Sequence, residues 1–302
     1  MEYYYAFQLN IASELAFPEL QAGYPLAEVD CSIRIGHVSS TGLETPTHKT
    51  PFYQVARNQF WLSIPDIGRF EVKNGRTITI EPDALVDKAS LRLFILGPCL
   101  NALLLQQGYY ILNGDVFSVN QQHACAIIGH SGVGKSVLTQ ALLNQDLSLL
   151  SSGLCVINST GQVQSGYPRI QLWTDAIRLL SLEKPEQRIR PLLEKWYVTA
   201  DHHFCNKAQP LRSIYLLHTH NKPDVSFTPV KGFAKFNQLR SYTAHQSLIE
   251  HLVDFRQYQL RGTSLANQIH ITKIARPDHG NTVKALVEHI SLDLKGLSHE
   301  HA

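Results

Sequence analysis

A chain of 302 residues is long enough for one large domain or two modest ones, and its 44% apolar content is that of an ordinary globular protein. With 27 basic and 25 acidic side chains the formal net charge is only +2, so neither nucleic acid nor an anionic membrane surface is expected as a partner. No apolar run is expected to span a bilayer, the opening MEYYYAFQLNIASEL lacks the basic-then-apolar order of a secretory signal, and the expected compartment is the cytoplasm.

The five cysteines (Cys31, Cys99, Cys125, Cys155, Cys205) include no CxxC pair and read as small buried hydrophobes. Fifteen histidines raise the question of a metal. His202 and His203 are adjacent, His218 and His220 share one strand face, and His299 and His301 lie in a polar tail. No HxxxH or HExxH occurs, so solvated or hydrogen-bonded histidines are expected.

In chain order, residues 1–88 read as a β-rich N-terminal region. EYYYAFQLNIAS, DCSIRIGHV, QFWLSI, GRFEVKNG and RTITIEP are rich in β-branched and aromatic residues and separated by turn signals. In VKNGR, Asn-Gly supplies the two positive-φ residues of a tight type I′ hairpin. Residues 89–302 read as a second region, which opens on the helical pattern ASLRLFILGPCLNALLLQQG with a start or kink at Gly97-Pro98. YYILNGDVFSV and HACAIIG are strands joined by the polar turn NQQ. VLTQALLNQD is a helix opening at Lys135 or just before it, with an apolar stripe of Val137, Leu138, Ala141 and Leu142. SLLSSGLCVINSTGQVQS reads as strand, turn and strand, with Thr160-Gly161 at a hairpin tip. WTDAIRLLSLEK and EQRIRPLLEKW read as helical, RSIYLLHTH as a strand, and SYTAHQSLIEHLVDF and HGNTVKALVEHISLDL as amphipathic helices.

Between HACAIIG and VLTQALLNQD lies Gly129-His130-Ser131-Gly132-Val133-Gly134-Lys135-Ser136, which matches GxxxxGK[ST] at every fixed position. Gly132 and Gly134 allow a tight bend in which successive N–H groups point at phosphate oxygens with no Cβ in the way. The helix that follows adds its positive end. Lys135 is expected on the β- and γ-phosphates, and the Ser136 hydroxyl on Mg²⁺. Phosphate binding follows from strand, loop and helix together. Turnover needs more: a group that orients or deprotonates the nucleophile, and a carboxylate on the metal. DLSLLSSGLCVIN, the strand expected beside the loop, reaches its turn at Ser152-Gly153 with no acid.

With these residues in view, the chain resembles the HPr kinase family, and more closely the shorter homologues found beside lasso-peptide biosynthesis genes, which phosphorylate a serine of the precursor peptide. The similarity runs through YYYAFQLNIASELAFPEL, LRLFILGPCLNALLLQQG, the glycine loop, SGYPRIQLWTDAIRLL and PLRSIYLL. It implies an α/β fold, mixed and β-rich: a P-loop kinase core of the kind distantly shared with phosphoenolpyruvate carboxykinase. It also implies ATP and Mg²⁺ as cofactors and a peptide or small-protein partner. Against the family pattern, Asn113 stands where a histidine is usual, Ser152 and Gly153 where two aspartates are usual, and an arginine common near Gln107 is absent. By that resemblance one of those aspartates acts on the substrate hydroxyl and helps hold the metal. The expected protein is therefore an ATP-binding HPr kinase-like member of a lasso-peptide-like pathway, degenerate or weakly active in phosphoryl transfer. The alternative is an active ATP-dependent serine kinase acting on a precursor peptide or small protein.

Asp115 is the one candidate replacement acid. It lies two residues after Asn113, so in an extended segment the two share a face. The plainer reading is an exposed turn aspartate after Gly114. Asp146 reads as a surface residue, and His130 as a loop position open to solvent or substrate. Trp173 could stack on an adenine but reads as core, Arg169 and Lys195 could contact a phosphate or a peptide carboxylate but read as solvated surface cations, and Asp175 reads as a helix N-cap or first-turn acid.

Overall fold

The structure is a computed structural model that describes residues 1–26, 28–145, 147–191, 193–243 and 246–299. Its first third folds as the alternating apolar and polar residues dictate, into strands β1 (Glu2–Ala6), β2 (Leu9–Ser13), β3 (Gln21–Ala22), β4 (Cys31–Ile35), β5 (His48–Lys49), β6 (Tyr53–Ala56), β7 (Gln59–Ile64), β8 (Gly68–Lys73) and β9 (Thr77–Pro82). These make one nine-stranded sheet in the order β3-β1-β2-β4-β9-β8-β7-β6-β5. The β8–β9 hairpin turns through Asn74 (φ 55°) and Gly75 (φ 62°), as a type I′ turn requires.

Helix α1 (Lys88–Phe94) starts where the Asp87 carboxylate accepts from the Ser90 amide at 2.8 Å. It does not stop at Gly97-Pro98. Ile95–Cys99 form one π turn, and α2 (Leu100–Gln106) carries on along the same rod. Pro98 has no N–H for the helical ladder, and a widened turn absorbs the loss without ending the helix. The resulting segment Lys88–Gln106, 19 residues, is by length and composition apolar enough to cross a bilayer, contrary to expectation. Most of it is buried within the protein, where Leu91, Ile95, Leu100 and Leu103–Leu105 join one apolar cluster with Phe70 and Ile80 of the first sheet and Ile111, Val116 and Ile214 beyond it.

The remaining strands are β10 (Tyr110–Val119), β11 (His123–Ile128), β12 (Ser148–Ser151), β13 (Leu154–Ile157), β14 (Gln162–Val163), β15 (Arg169–Trp173), β16 (Lys195–Thr199), β17 (Gln209–His220), β18 (Ser226–Pro229) and β19 (His270–Pro277). The helices are α3 (Lys135–Leu143), α4 (Thr174–Leu179), α5 (Phe233–Ser241), α6 (Gln246–Leu252), α7 (Phe255–Gln268) and α8 (Val283–His299). An eight-stranded mixed sheet sets β10 antiparallel to β11 on one side, and β17 and then β19 parallel on the other. The chain is thus a mixed, strand-rich α/β protein.

Three readings of the sequence change. EQRIRPLLEKW is not helical: Tyr197 donates its amide to Gln187 and Ile189 to Lys195, and residues 195–199 pair with β15. Pro191 denies a helix its donor, and the run Trp196-Tyr197-Val198 suits a strand. The helix expected from Ser241 onward begins at Gln246 among the described residues. Lastly, β12 and β13 do not flank β11; both pair with β10, one strand away. Asp146 and His301 lie outside the described residues.

A buried ion pair ties the N-terminal region to this scaffold. Glu19, 1% exposed, accepts from Arg92 Nε at 2.9 Å and from Gln187 Nε2 at 3.1 Å. Breaking such a pair leaves a desolvated charge, so Arg92→Met is expected to cost about 3–5 kcal/mol in chemical denaturation, and a double Glu19→Leu, Arg92→Met variant to recover most of that loss.

Candidate functional site

The glycine loop joins β11 to α3, and each of its fixed residues has a local reason. Gly129 follows the end of β11 so near to β17 that a Cβ would sit 2.7 Å from the Leu217 carbonyl oxygen. Gly132 (φ +85°) and Gly134 (φ +97°) adopt left-handed backbone. A Cβ on Gly132 would meet nothing within 4 Å, whereas one on Gly134 would lie 3.0 Å from the Arg276 guanidinium. Arg276, near the end of β19, donates to the Val133 carbonyl from Nε (3.2 Å) and Nη2 (2.9 Å), which pins the loop from below. Burial lowers the Arg276 pKa, an effect offset in part by nearby Asp278. His130 and Ser131 are exposed at the tip, and the His130 ring packs at 4.9 Å on Tyr242.

Lys135 is the first residue of α3, and its Nζ donates to the carbonyls of Gly129 and His130, each at 2.8 Å. The ammonium thus lies folded over the concave side of the loop. Burial lowers its pKa, and Asp115 counters that shift. Ser136 follows it and lines the same cleft.

Asp115 is not an exposed turn residue. It is 2% exposed, and both carboxylate oxygens are engaged. Oδ1 accepts from Ser152 Oγ (2.7 Å) and the Gly153 amide (2.8 Å), and Oδ2 from Thr139 Oγ1 (2.6 Å). The dipeptide that lacks the expected acids is therefore the one that holds the carboxylate of the neighbouring strand. Asn113 lines the same cleft, as the shared strand face predicts.

The cleft, about 590 Å³, runs from the loop across Asp115 to the π turn on one side and the β15–β16 hairpin on another. Its only lining carboxylate among the described residues is Asp115. Trp173 is 52% exposed and borders the cleft rather than filling the core; the core tryptophan of that hairpin is Trp196, 5% exposed. Arg169 and Lys195 also face the cleft and are not free surface cations. Asp175 is a first-turn acid of α4 paired with Arg178, as read from the sequence.

The parallel neighbour of the loop strand, β17, ends in Leu217-His218-Thr219-His220 without an acid. His218 Nε2 lies 3.0 Å from the Tyr242 hydroxyl, and Tyr242 accepts the Asn113 amide proton on its carbonyl at 3.1 Å. Burial, then Lys273 and His130, lower the His218 pKa. Arg276 and Tyr242 escaped sequence reading because nothing local marks them; Arg276 is 143 residues from the carbonyl it holds.

No family model matches the chain, and no curated protein matches it. Among solved structures it is similar to the HPr(Ser) kinase/phosphatase from Coxiella burnetii, at 12% identity and a TM-score of 0.32, over 63% of this chain and 96% of that one. The similarity is distant and partial.

Two outcomes follow from this geometry. Gly134→Ala places a side chain in left-handed backbone against Arg276 and is expected to cost about 1–3 kcal/mol, read by thermal unfolding. A histidine with a depressed folded pKa contributes stability above its unfolded pKa of about 6.5 and loses it as pH falls through the folded value. The melting temperature should therefore drop between pH 7 and 5, and the drop should be smaller in His218→Asn.

Proposed function

We propose that the cleft binds ATP with Mg²⁺ and that the chain is a weak phosphotransferase. The supporting observation is the pairing of a phosphate-shaped loop with a single buried carboxylate. The residues fit the ligand: Gly132 leaves open space at the loop tip, and Lys135 covers loop carbonyls that it can exchange for phosphate oxygens. Ser136 and Asp115 are the chain's contribution to a divalent cation. Among the described residues there is no cluster of three or more His, Cys, Asp or Glu, so the remaining ligands of such a cation would have to come from the nucleotide and solvent. When bound, Mg²⁺ supplies charge neutralisation between the β- and γ-phosphates.

Within this reading Lys135 orients the phosphates, the loop glycines allow close backbone approach, and Asp115 is the base or metal carboxylate. Three hydrogen-bond donors on that carboxylate hold it in place and leave it little free lone-pair capacity for a proton or a cation, which is the physical reason for slow transfer. A peptide natural-product precursor as acceptor, and a lasso-peptide-like pathway, are supported by the segments SGYPRIQLWTDAIRLL and PLRSIYLL. The second reading, an active serine kinase, is favoured by the placement of Asp115 where Ser152 and Gly153 can present it.

Incubation with Mg²⁺, labelled ATP and the candidate precursor peptide separates the readings: slow label on a peptide serine supports a weak enzyme, rapid label an active kinase. Asp115→Asn is expected to retain ATP binding and to lower any transfer by about a hundredfold or more. Unchanged transfer would remove Asp115 from the chemistry. Gly153 has φ +83°, a conformation that strains any side chain even though no atom lies within 4 Å of an added Cβ, so Ser152→Asp with Gly153→Asp, joined to Asn113→His, is the converse test and is expected to lower stability and to raise the rate.

A further inference from the structure

The hairpin wall of the cleft carries a cation that the loop motif does not account for. Lys195 begins β16 and is half-buried, with its Nζ 2.9 Å from Gln171 Oε1 and 5.6 Å from the centroid of the Trp173 ring. Gln171 is neutral, and the ring offers only its π face. Arg169, on the same hairpin, already meets the Asp201 carboxylate at 3.0 Å. Lys195 has no such partner among the described residues, yet it lies within electrostatic reach of both Asp115 and Lys135. Burial lowers its pKa and Lys135 lowers it further, while Asp115 alone opposes them. One carboxylate facing two ammonium groups leaves the cleft with a surplus positive charge, and a cation held half-desolvated without an ion pair is a poor arrangement unless an anion arrives.

We infer that Lys195 is a second phosphate-binding cation of the cleft, positioned to hold the terminal phosphate of a nucleoside triphosphate from a different wall than Lys135. This rests on the reading of the cleft as a triphosphate site. The loop amides grip phosphates common to ATP and ADP, and Lys135 spans the β- and γ-phosphates. Lys195 shares the cleft with Lys135 and with Asp115, the acid proposed for the transfer, so on this reading it falls to the γ-phosphate. An ammonium there neutralises charge on the transferring oxygens in the way that positioned cations stabilise phosphoryl transfer. Gln171 and Trp173 then act as the resting place of Lys195: neither binds it strongly enough to compete with a phosphate, and both keep its stem ordered. The site distinguishes triphosphate from diphosphate by charge.

The test is calorimetric titration of the full chain with a β,γ-imido analogue of ATP and with ADP, each with Mg²⁺. Wild type is compared with Lys195→Gln, Lys195→Met and Lys195→Arg, all checked for an unchanged melting temperature. Lys195→Met keeps the stem against Trp173 and deletes only the charge, so it serves if the glutamine variant folds poorly. Loss of one charge-assisted contact predicts about tenfold weaker binding of the triphosphate analogue and less than about twofold for ADP. Lys195→Arg should keep most of the triphosphate preference. If the neutral variants weaken both nucleotides alike, or neither, Lys195 does not read the terminal phosphate and the inference fails. Wild-type protein that binds neither nucleotide overturns the triphosphate reading itself, which is a separate and recognisable result.

Discussion

The site depends on one buried carboxylate. Asp115 stands on β10, yet its oxygens are bonded to the first turns of α3 through Thr139 and to the junction of β12 and β13 through Ser152 and Gly153. A carboxylate this far from water is tolerable only when its lone pairs are satisfied and positive charge is near. Three donors meet the first condition, and Lys135 and Lys195, each electrostatically coupled to it, help to meet the second. The same three bonds fix the distance between the loop helix and the strand beside it. The chemistry of the cleft and the rigidity of its floor are thus one arrangement.

Around that floor the fold supplies rigid walls. The loop strand is held between an antiparallel and a parallel neighbour. Gly129 and Gly114 permit backbone approaches that any Cβ would block, against Leu217 and Ile127 respectively. Arg276 reaches from β19 to fix the Val133 carbonyl, so the loop is braced from the far side of the parallel strands. The π turn in the helix that precedes β10 forms another wall. Asn101, in the first turn of α2 just after it, is 1% exposed, and neither of its side-chain polar atoms has a hydrogen-bond partner. A group left unsatisfied in this way carries a desolvation cost of about 1–3 kcal/mol.

Much of the local structure was legible. The Asn74-Gly75 turn, the β10–β11 pair and the start of α3 at Lys135 all follow from turn chemistry, alternation and the glycine loop. Other elements were hidden for identifiable reasons. α7 carries a capping signal, Asp254 accepting from the Gln257 amide at 3.0 Å. Its polar residues and Gly262 blur the apolar stripe, and that glycine is needed because a Cβ there would crowd the Tyr110 ring. EQRIRPLLEKW has helical spacing, but its last residues are claimed by pairing with β15. Tertiary pairing outweighed local period there.

By itself the sequence determined the loop: glycine spacing, the lysine and serine that follow, and the strand and helix on either side are all contiguous, so one stretch of chain carries the whole instruction. It could not determine what faces that loop. Whether Asp115 pointed to solvent or into the cleft, whether Lys195 and Trp173 were surface or wall, and which arginine held the loop all depended on strand order and register. Those relations join residues tens to more than a hundred positions apart. Residues that far apart carry no mutual signal in one sequence, because only folding brings their charges within reach of each other.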